Sequence, residues 1–154
     1  MRDWKLPWAG GCRCGRVRIE VSAPPLLAAA CHCKGCQTMS ASAYSLSIAI
    51  PAEGFVVTQG EPVVGGLQGP TRHFFCPFCK SWMFTRPEGL DWLVNLRPSM
   101  LDDHSWFVPF VETSTGAGLP WTRTPAKYSF AGEPELDRYQ ALVAEYAAEG
   151  AGPA

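Results

Sequence analysis

The stretch Thr71-Arg72-His73-Phe74-Phe75-Cys76-Pro77-Phe78-Cys79-Lys80-Ser81-Trp82-Met83-Phe84-Thr85 places a Cys-x-x-Cys turn between two runs that are rich in aromatic residues. Aromatic and β-branched residues favour strands. Cys-x-x-Cys is the spacing of a zinc knuckle, in which a tight turn aims two thiolates at one metal ion. The stretch therefore predicts two strands joined by a knuckle, which would hold its sulfurs on a rigid support.

All seven cysteines of the chain fall into three tight clusters, of which this knuckle is one. The other two are Cys12-Arg13-Cys14 and Cys31-His32-Cys33-Lys34-Gly35-Cys36. A tetrahedral zinc site takes four ligands, so two sites need eight, whereas the chain supplies seven sulfurs. One site can therefore be closed by four sulfurs, while the other keeps three sulfurs and one open position.

Spacing assigns the cysteines to these two sites. One short segment can wrap a metal ion with the three central cysteines, while the two outer pairs can meet only across the fold. Closed zinc sites are structural, whereas three protein ligands plus an exchangeable one are typical of catalytic sites. We therefore predict a structural zinc on Cys12, Cys14, Cys76 and Cys79 and a catalytic zinc on Cys31, Cys33 and Cys36.

Other ligands or disulfides would change this interpretation. His73 or His104 could complete the second site and make it structural. His32 lies between two ligands, but adjacent residues seldom point at one ion, so a role outside the ligand set is favoured. A disulfide framework is disfavoured, because seven is an odd number and Cys-x-Cys pairs make poor intrachain bridges.

The composition is that of an ordinary globular domain. The chain has 154 residues, of which 47% are hydrophobic and 18% charged, and a formal net charge of −1. This balance disfavours binding to nucleic acid or to an anionic membrane. No apolar run reaches the roughly 18 residues of a membrane span, and the first residues lack the apolar core of a signal peptide. We expect one zinc-binding domain over residues 1–154, soluble and cytoplasmic.

Periodicity predicts a mainly β chain with one late helix. The helical pattern lies at about residues 133–149, where apolar residues recur at helical spacing after Pro134. Two short apolar runs around Gln59-Gly60-Glu61 fit a hairpin. The remaining strand candidates are residues 16–21, 43–50, 71–75, 81–85, 90–96 and 106–111.

Three stretches resemble the glutathione-dependent formaldehyde-activating enzyme family, which includes centromere protein V. They begin at Gly10, Cys31 and Phe75, and the order and spacing of all seven cysteines agree over about residues 10–121; Lys80 stands where the family usually has glycine. The resemblance implies a β-tent of antiparallel sheets stapled by zinc, with one structural and one catalytic zinc on the two cysteine sets above. It also implies S-(hydroxymethyl)glutathione synthase activity, a carbon–sulfur lyase reaction that joins formaldehyde to the glutathione thiol.

The leading hypothesis is an enzyme that joins a small, glutathione-like thiol to a small, formaldehyde-like aldehyde. The alternative is a non-catalytic module that carries a thiol or binds a partner. The candidates for proton transfer to the adduct are His32, Tyr44, Asp102 and His104, although a structural role is favoured for each. The tryptophans that could line a partner surface, although a core position is favoured, are Trp82, Trp92, Trp106 and Trp121.

Overall fold

The computed structural model describes residues 2–154, which form eleven strands and two α-helices. The helices are α1 (Lys34–Ser40) and α2 (Leu136–Glu149). The predicted mainly β fold with a C-terminal helix is confirmed. The strands in chain order are β1 (Trp8–Gly11), β2 (Arg18–Val21), β3 (Leu27–Cys31), β4 (Ser45–Pro51), β5 (Phe55–Gln59), β6 (Val63–Gly65), β7 (Arg72–Phe75), β8 (Trp82–Arg86), β9 (Leu93–Leu96), β10 (Val111–Thr113) and β11 (Tyr128–Ser129).

The strands form two sheets. The smaller one is antiparallel, with the order β1-β2-β5. The larger one has eight strands in the order β11-β10-β3-β4-β9-β8-β7-β6. Most of its neighbours are antiparallel, but β10 pairs in parallel with both β3 and β11, so this sheet is mixed. Parallel pairing needs a long crossover connection, and the chain between β3 and β10 supplies it.

The hydrophobic core is built from both sheets and from α2. Ile19 of β2 and Ile48 of β4 are 1% and 0% exposed, and Leu142 and Tyr146 of α2 are fully buried beside them. The apolar stripe predicted for the late helix thus packs on the body of the protein. Burying a side chain such as Leu142 contributes about 1.5–3 kcal/mol.

Alternation along β4 gives the larger sheet a second, more polar face. Because Ile48 and Ile50 point into the core, Ser45 and Ser47 lie on the opposite face. Cys31 at the end of β3 is paired with Ser45, and α1 packs against β4. The segment with three cysteines is therefore held at this polar face.

The hairpin expected around Gln59-Gly60-Glu61 is wrong. Strand β5 pairs with β2 and strand β6 pairs with β7, so this loop passes from one sheet to the other. The Gln59 side-chain amide donates to the carbonyls of Gly15 and Arg16, each at 3.2 Å, which holds the end of β5 against the turn between β1 and β2. Gly60, with φ +78°, then turns the chain away.

Other elements also differ from the sequence predictions. The strand expected at residues 106–111 begins only at Val111, since Pro109 lacks an N–H for pairing. Helix α2 begins at Leu136 rather than near residue 133, after Glu135 in extended conformation. Helix α1 is not predicted, because it buries no residue and so has no apolar stripe to recognise.

Neither of the two helices in residues 2–154 is long and apolar enough to cross a membrane. The expectation of a single domain over residues 1–154, with a core at about 10–121, stays a prediction.

Candidate metal centres

Two groups of sulfur atoms lie close together, and each has the membership that spacing predicts. In the first, the Sγ atom of Cys14 lies 3.6 Å from that of Cys12 and 3.8 Å from that of Cys76. With Zn–S bonds of about 2.3 Å, the corners of a tetrahedron stand ~3.8 Å apart, so this group fits zinc. Its four Sγ atoms, all within 4.8 Å of one another, belong to Cys12, Cys14, Cys76 and Cys79.

This four-cysteine cluster joins the two sheets through their turns. Cys12 and Cys14 lie in the turn between β1 and β2, whereas Cys76 and Cys79 lie in the turn between β7 and β8. The predicted knuckle between two antiparallel strands is confirmed. In that second turn the Lys80 amide donates to the Cys76 carbonyl at 3.0 Å, and Lys80 has φ +59°. A metal ion held here would therefore link the two sheets.

Backbone amides surround the sulfurs of this cluster. The Val17 amide donates to Cys12 Sγ at 3.3 Å, and the amides of Phe78 and Cys79 donate to Cys76 Sγ at 3.4 and 3.5 Å. Four thiolates on a divalent ion have a formal charge of −2, which such donors stabilise. Of the nearby cations, the guanidinium of Arg16 lies 3.5 Å from the centre of the Phe78 ring.

The second group is a three-cysteine cluster at the start of α1. Cys31 ends β3, and Cys33 is extended (φ −62°, ψ 155°) as the N-cap of α1. The Cys33 Sγ accepts the Cys36 amide at 3.4 Å, so the first turn of the helix brings Cys36 back towards Cys33. The three Sγ atoms lie within 4.8 Å of one another, and within residues 2–154 no histidine or carboxylate joins them.

The thiols of this cluster interact strongly. The neighbouring Cys36 thiol, with smaller contributions from Cys33 and Thr113, lowers the pKa of Cys31 to about 4. The Cys31 charge and burial raise the pKa of Cys36 in turn. This interaction favours a thiolate in the cluster, and a thiolate is the form that binds metal ions.

Arg97 lies beside this cluster and was missed in the sequence. Burial lowers its pKa to about 10, while the negative charges of Cys36 and Cys31 act in the opposite direction. Its guanidinium therefore stays protonated at neutral pH. A single arginine after a strand carries no sequence signal, because the fold alone brings it next to cysteines about 60 residues away.

His32 is held in a buried network rather than in the metal cluster. It is 1% exposed, and its Nε2 lies 2.8 Å from Oε1 of Glu112, while the Ser129 hydroxyl donates to Oε2 of Glu112 at 2.7 Å. Although burial raises the pKa of Glu112, the hydrogen bonds from Ser129 and His32 lower it overall. Glu112 was also missed, since it is 80 residues from His32 in sequence.

The other candidate side chains have separate partners. His73 Nδ1 lies 2.9 Å from the Thr85 hydroxyl, and His104 Nδ1 donates to the Leu101 carbonyl at 3.3 Å. Asp102 forms an ion pair with Arg18, which lowers its pKa. The Tyr44 ring centre lies 5.3 Å from that of His32, with the two ring planes tilted by 59°.

The tryptophans divide between interior and surface. Trp82 and Trp106 are partly buried, whereas Trp92 and Trp121 are 59% and 76% exposed, so the favoured core position is wrong for the latter two. Trp121 lies on an open cleft of about 640 Å³ along α1, which also includes Lys34 and Arg123 but none of the cysteines.

Comparisons with known proteins agree with this arrangement. A family model described as glutathione-dependent formaldehyde-activating enzyme matches residues 7–116, which is more than half of the chain. A crystal structure of a Rhodobacter sphaeroides protein matches with a TM-score of 0.51 and 20% identity, over 61% of this chain and 87% of that one, and so supports the fold alone. No curated protein matches the chain.

Proposed function

Because the chain belongs to the glutathione-dependent formaldehyde-activating enzyme family, we propose that it is a zinc-dependent enzyme that joins a small thiol to a small aldehyde. The product is an S-hydroxymethyl adduct, and the reaction class is that of a carbon–sulfur lyase. The thiol is glutathione-like and the aldehyde formaldehyde-like. We assign the reaction to Cys31, Cys33 and Cys36 and a structural zinc to the four-cysteine cluster.

One observation carries this proposal, namely the difference between the two clusters. Four sulfurs surround the first candidate position, whereas the second has three sulfurs and no fourth side-chain ligand within residues 2–154. Three thiolates suit zinc and leave one position for a soft donor such as an incoming thiol. A zinc ion there would lower the pKa of that thiol and hold it in place as a nucleophile.

The proposed reaction balances without any further reagent. The thiol loses its proton to solvent, its sulfur forms a bond to the aldehyde carbon, and the carbonyl π electrons move to the oxygen. The resulting alkoxide then takes a proton, so thiol and aldehyde give the hydroxymethyl thioether with no redox change. No oxidant or reductant is required.

The protein's own residues hold and orient the reacting groups. The extended N-cap at Cys33 and the first turn of α1 set the direction of two sulfurs, and β3 sets the third. Gln37 donates to the carbonyls of His32 at 2.7 Å and Ala117 at 3.0 Å, which fixes the segment against the loop after β10. Such positioning lowers the entropic cost of bringing the reactants together.

Calorimetry and exchange spectroscopy test the proposal. Zinc-loaded protein should bind glutathione with release of about one proton per thiol at neutral pH, measured in buffers of different ionisation enthalpy. Exchange spectroscopy at equilibrium should show that formaldehyde and glutathione form the adduct faster with protein than without it. Cys36→Ser is the control and should lose both effects.

The outcomes separate the enzyme from its alternative. Proton release without acceleration supports a thiol carrier and contradicts the enzyme. No binding of any thiol, with zinc present at both clusters, contradicts both functions and leaves two structural sites.

A further inference from the structure

Arg97 is a buried cation without a carboxylate partner. Its side chain is 8% exposed, and its Nε–H has no hydrogen-bond partner. Within residues 2–154 it forms no ion pair with any carboxylate. A buried guanidinium is costly unless it is paired and hydrogen-bonded. The missing acceptor therefore needs an explanation.

The strand register places Arg97 on the same face as the three-cysteine cluster. Leu96 is paired with Ile48, so Arg97 stands opposite Ser47, two residues along β4 from the Ser45 that is paired with Cys31. The Arg97 amide donates to the Met83 carbonyl at 2.9 Å, which fixes the start of the side chain. Arg97 and Cys31 therefore lie on the same face of the larger sheet, with strand β4 between them.

Aromatic stacking keeps the guanidinium in place without using its hydrogen bonds. Its central carbon lies 4.0 Å from the centre of the Trp82 ring. The Trp82 Nε1 donates to the Thr85 hydroxyl at 3.1 Å, so the ring that supports Arg97 is itself fixed. Stacking uses the face of a guanidinium and leaves its in-plane N–H donors free for an acceptor.

The nearby sulfurs cannot fully satisfy these donors. Thiolates that hold a metal ion supply negative charge, but they are weaker hydrogen-bond acceptors than oxygen. A carboxylate matches the guanidinium fork, because two parallel N–H···O bonds form at once. A thiol ligand whose sulfur enters the cluster could carry such a carboxylate to Arg97.

We propose that Arg97 binds a carboxylate of the thiol that enters the three-cysteine cluster, and so selects anionic thiols. The inference rests on the proposed function, since it concerns the same ligand. Because only strand β4 separates Arg97 from Cys31, one small molecule can present its sulfur to the cluster and its carboxylate to Arg97. Arg97 is thus a specificity residue and takes no part in bond making.

Two thiols, one with a free carboxylate and one with that carboxylate esterified, test this proposal. They are 3-mercaptopropionate and its methyl ester, titrated calorimetrically into zinc-loaded protein. We expect the acid to bind wild type about 10- to 100-fold more tightly than the ester, as for a hydrogen-bonded charge pair. In Arg97→Met this preference should disappear while the ester keeps its affinity, and Arg97→Lys should restore part of it. Comparing each probe across variants cancels the difference in acidity between the two thiols.

Arg72→Met is the matched control. Arg72 is exposed on β7 and its loss changes the net charge equally, so the preference should remain if the effect is local. Zinc content is measured for every variant.

Other outcomes of these experiments would overturn the proposal. An unchanged preference for the acid in Arg97→Met overturns the proposal. An equal loss of affinity for both probes also overturns it, because Arg97 would then only offset the charge of the cysteines. Loss of zinc from both Arg97 variants also overturns it. If wild type binds both probes without preference, the inference fails and the proposed function stands. If it binds neither probe, the inference fails, and the glutathione titration alone decides the proposed function.

Discussion

Serine substitutions at the two cysteine clusters should have opposite effects on folding. In the four-cysteine cluster, Cys14 and Cys76 lie 62 residues apart in sequence and their sulfurs lie 3.8 Å apart. A cross-link that closes a loop of that length restricts the unfolded chain by about 4 kcal/mol in the chain-entropy model. Whole domains have a free energy of unfolding of only about 5–15 kcal/mol. Cys76→Ser should therefore lower the free energy of unfolding by at least about 4 kcal/mol, or prevent folding.

Cys36→Ser should fold with nearly normal stability. Its cluster closes only a short local segment, and α1 buries no residue. We expect a loss of one zinc ion and of no more than about 1 kcal/mol, as for a substitution outside the core. Urea unfolding followed by tryptophan fluorescence, together with elemental analysis, measures both quantities.

Cys14→Ser separates loss of a metal ligand from a packing defect. Cys76 is fully buried whereas Cys14 is exposed, so a similar loss in both variants identifies the metal link as the cause. A stable Cys76→Ser beside an unfolded Cys36→Ser would refute the assignment of the two sites. A normal Cys14→Ser would show that the cluster does not link the sheets.

Three further predictions concern metal content and local stability. The purified protein should contain two zinc ions, of which a chelator removes one much more slowly; no zinc and paired cysteines in mass spectrometry would contradict both sites. Lys80→Gly should raise the free energy of unfolding, measured in urea, by about 1 kcal/mol, because Lys80 has φ +59°, a conformation that is strained for residues with a side chain. Lys80→Ala should give no such gain, and equal effects of the two substitutions would exclude backbone strain as the cause. Glu112→Ala should lower the free energy of unfolding by about 3 kcal/mol or more, because it leaves His32 and Ser129 without their acceptor. Glu112→Gln should lower it less, and an equal loss in both variants would mean that these hydrogen bonds do not stabilise the protein.

The sequence by itself determined the membership of the two cysteine clusters and the position of the knuckle. Both follow from local rules, because Cys76-x-x-Cys79 closes one turn and Cys31, Cys33 and Cys36 lie on one short segment. The late helix was also predictable, since Leu142 and Tyr146 recur at helical spacing and are both buried. Within the helix and within each cysteine turn the interacting groups are near neighbours along the chain, whereas the meeting of Cys14 with Cys76 across 62 residues was predicted from the number of ligands that a closed site needs.

Only the tertiary structure decided which strands β5 and β6 pair with and which side chains lie near the three-cysteine cluster. A short loop with glycine fits a hairpin equally well, but β5 pairs with β2, where the Gln59 amide donates to the Gly15 carbonyl, and β6 pairs with β7. Glu112 meets His32 across 80 residues, and Arg97 comes to the same sheet face as Cys31 through the pairing of β9, β4 and β3. These contacts depend on the order and register of strands, which are set by the packing of the whole chain and leave no mark on any local stretch of the sequence.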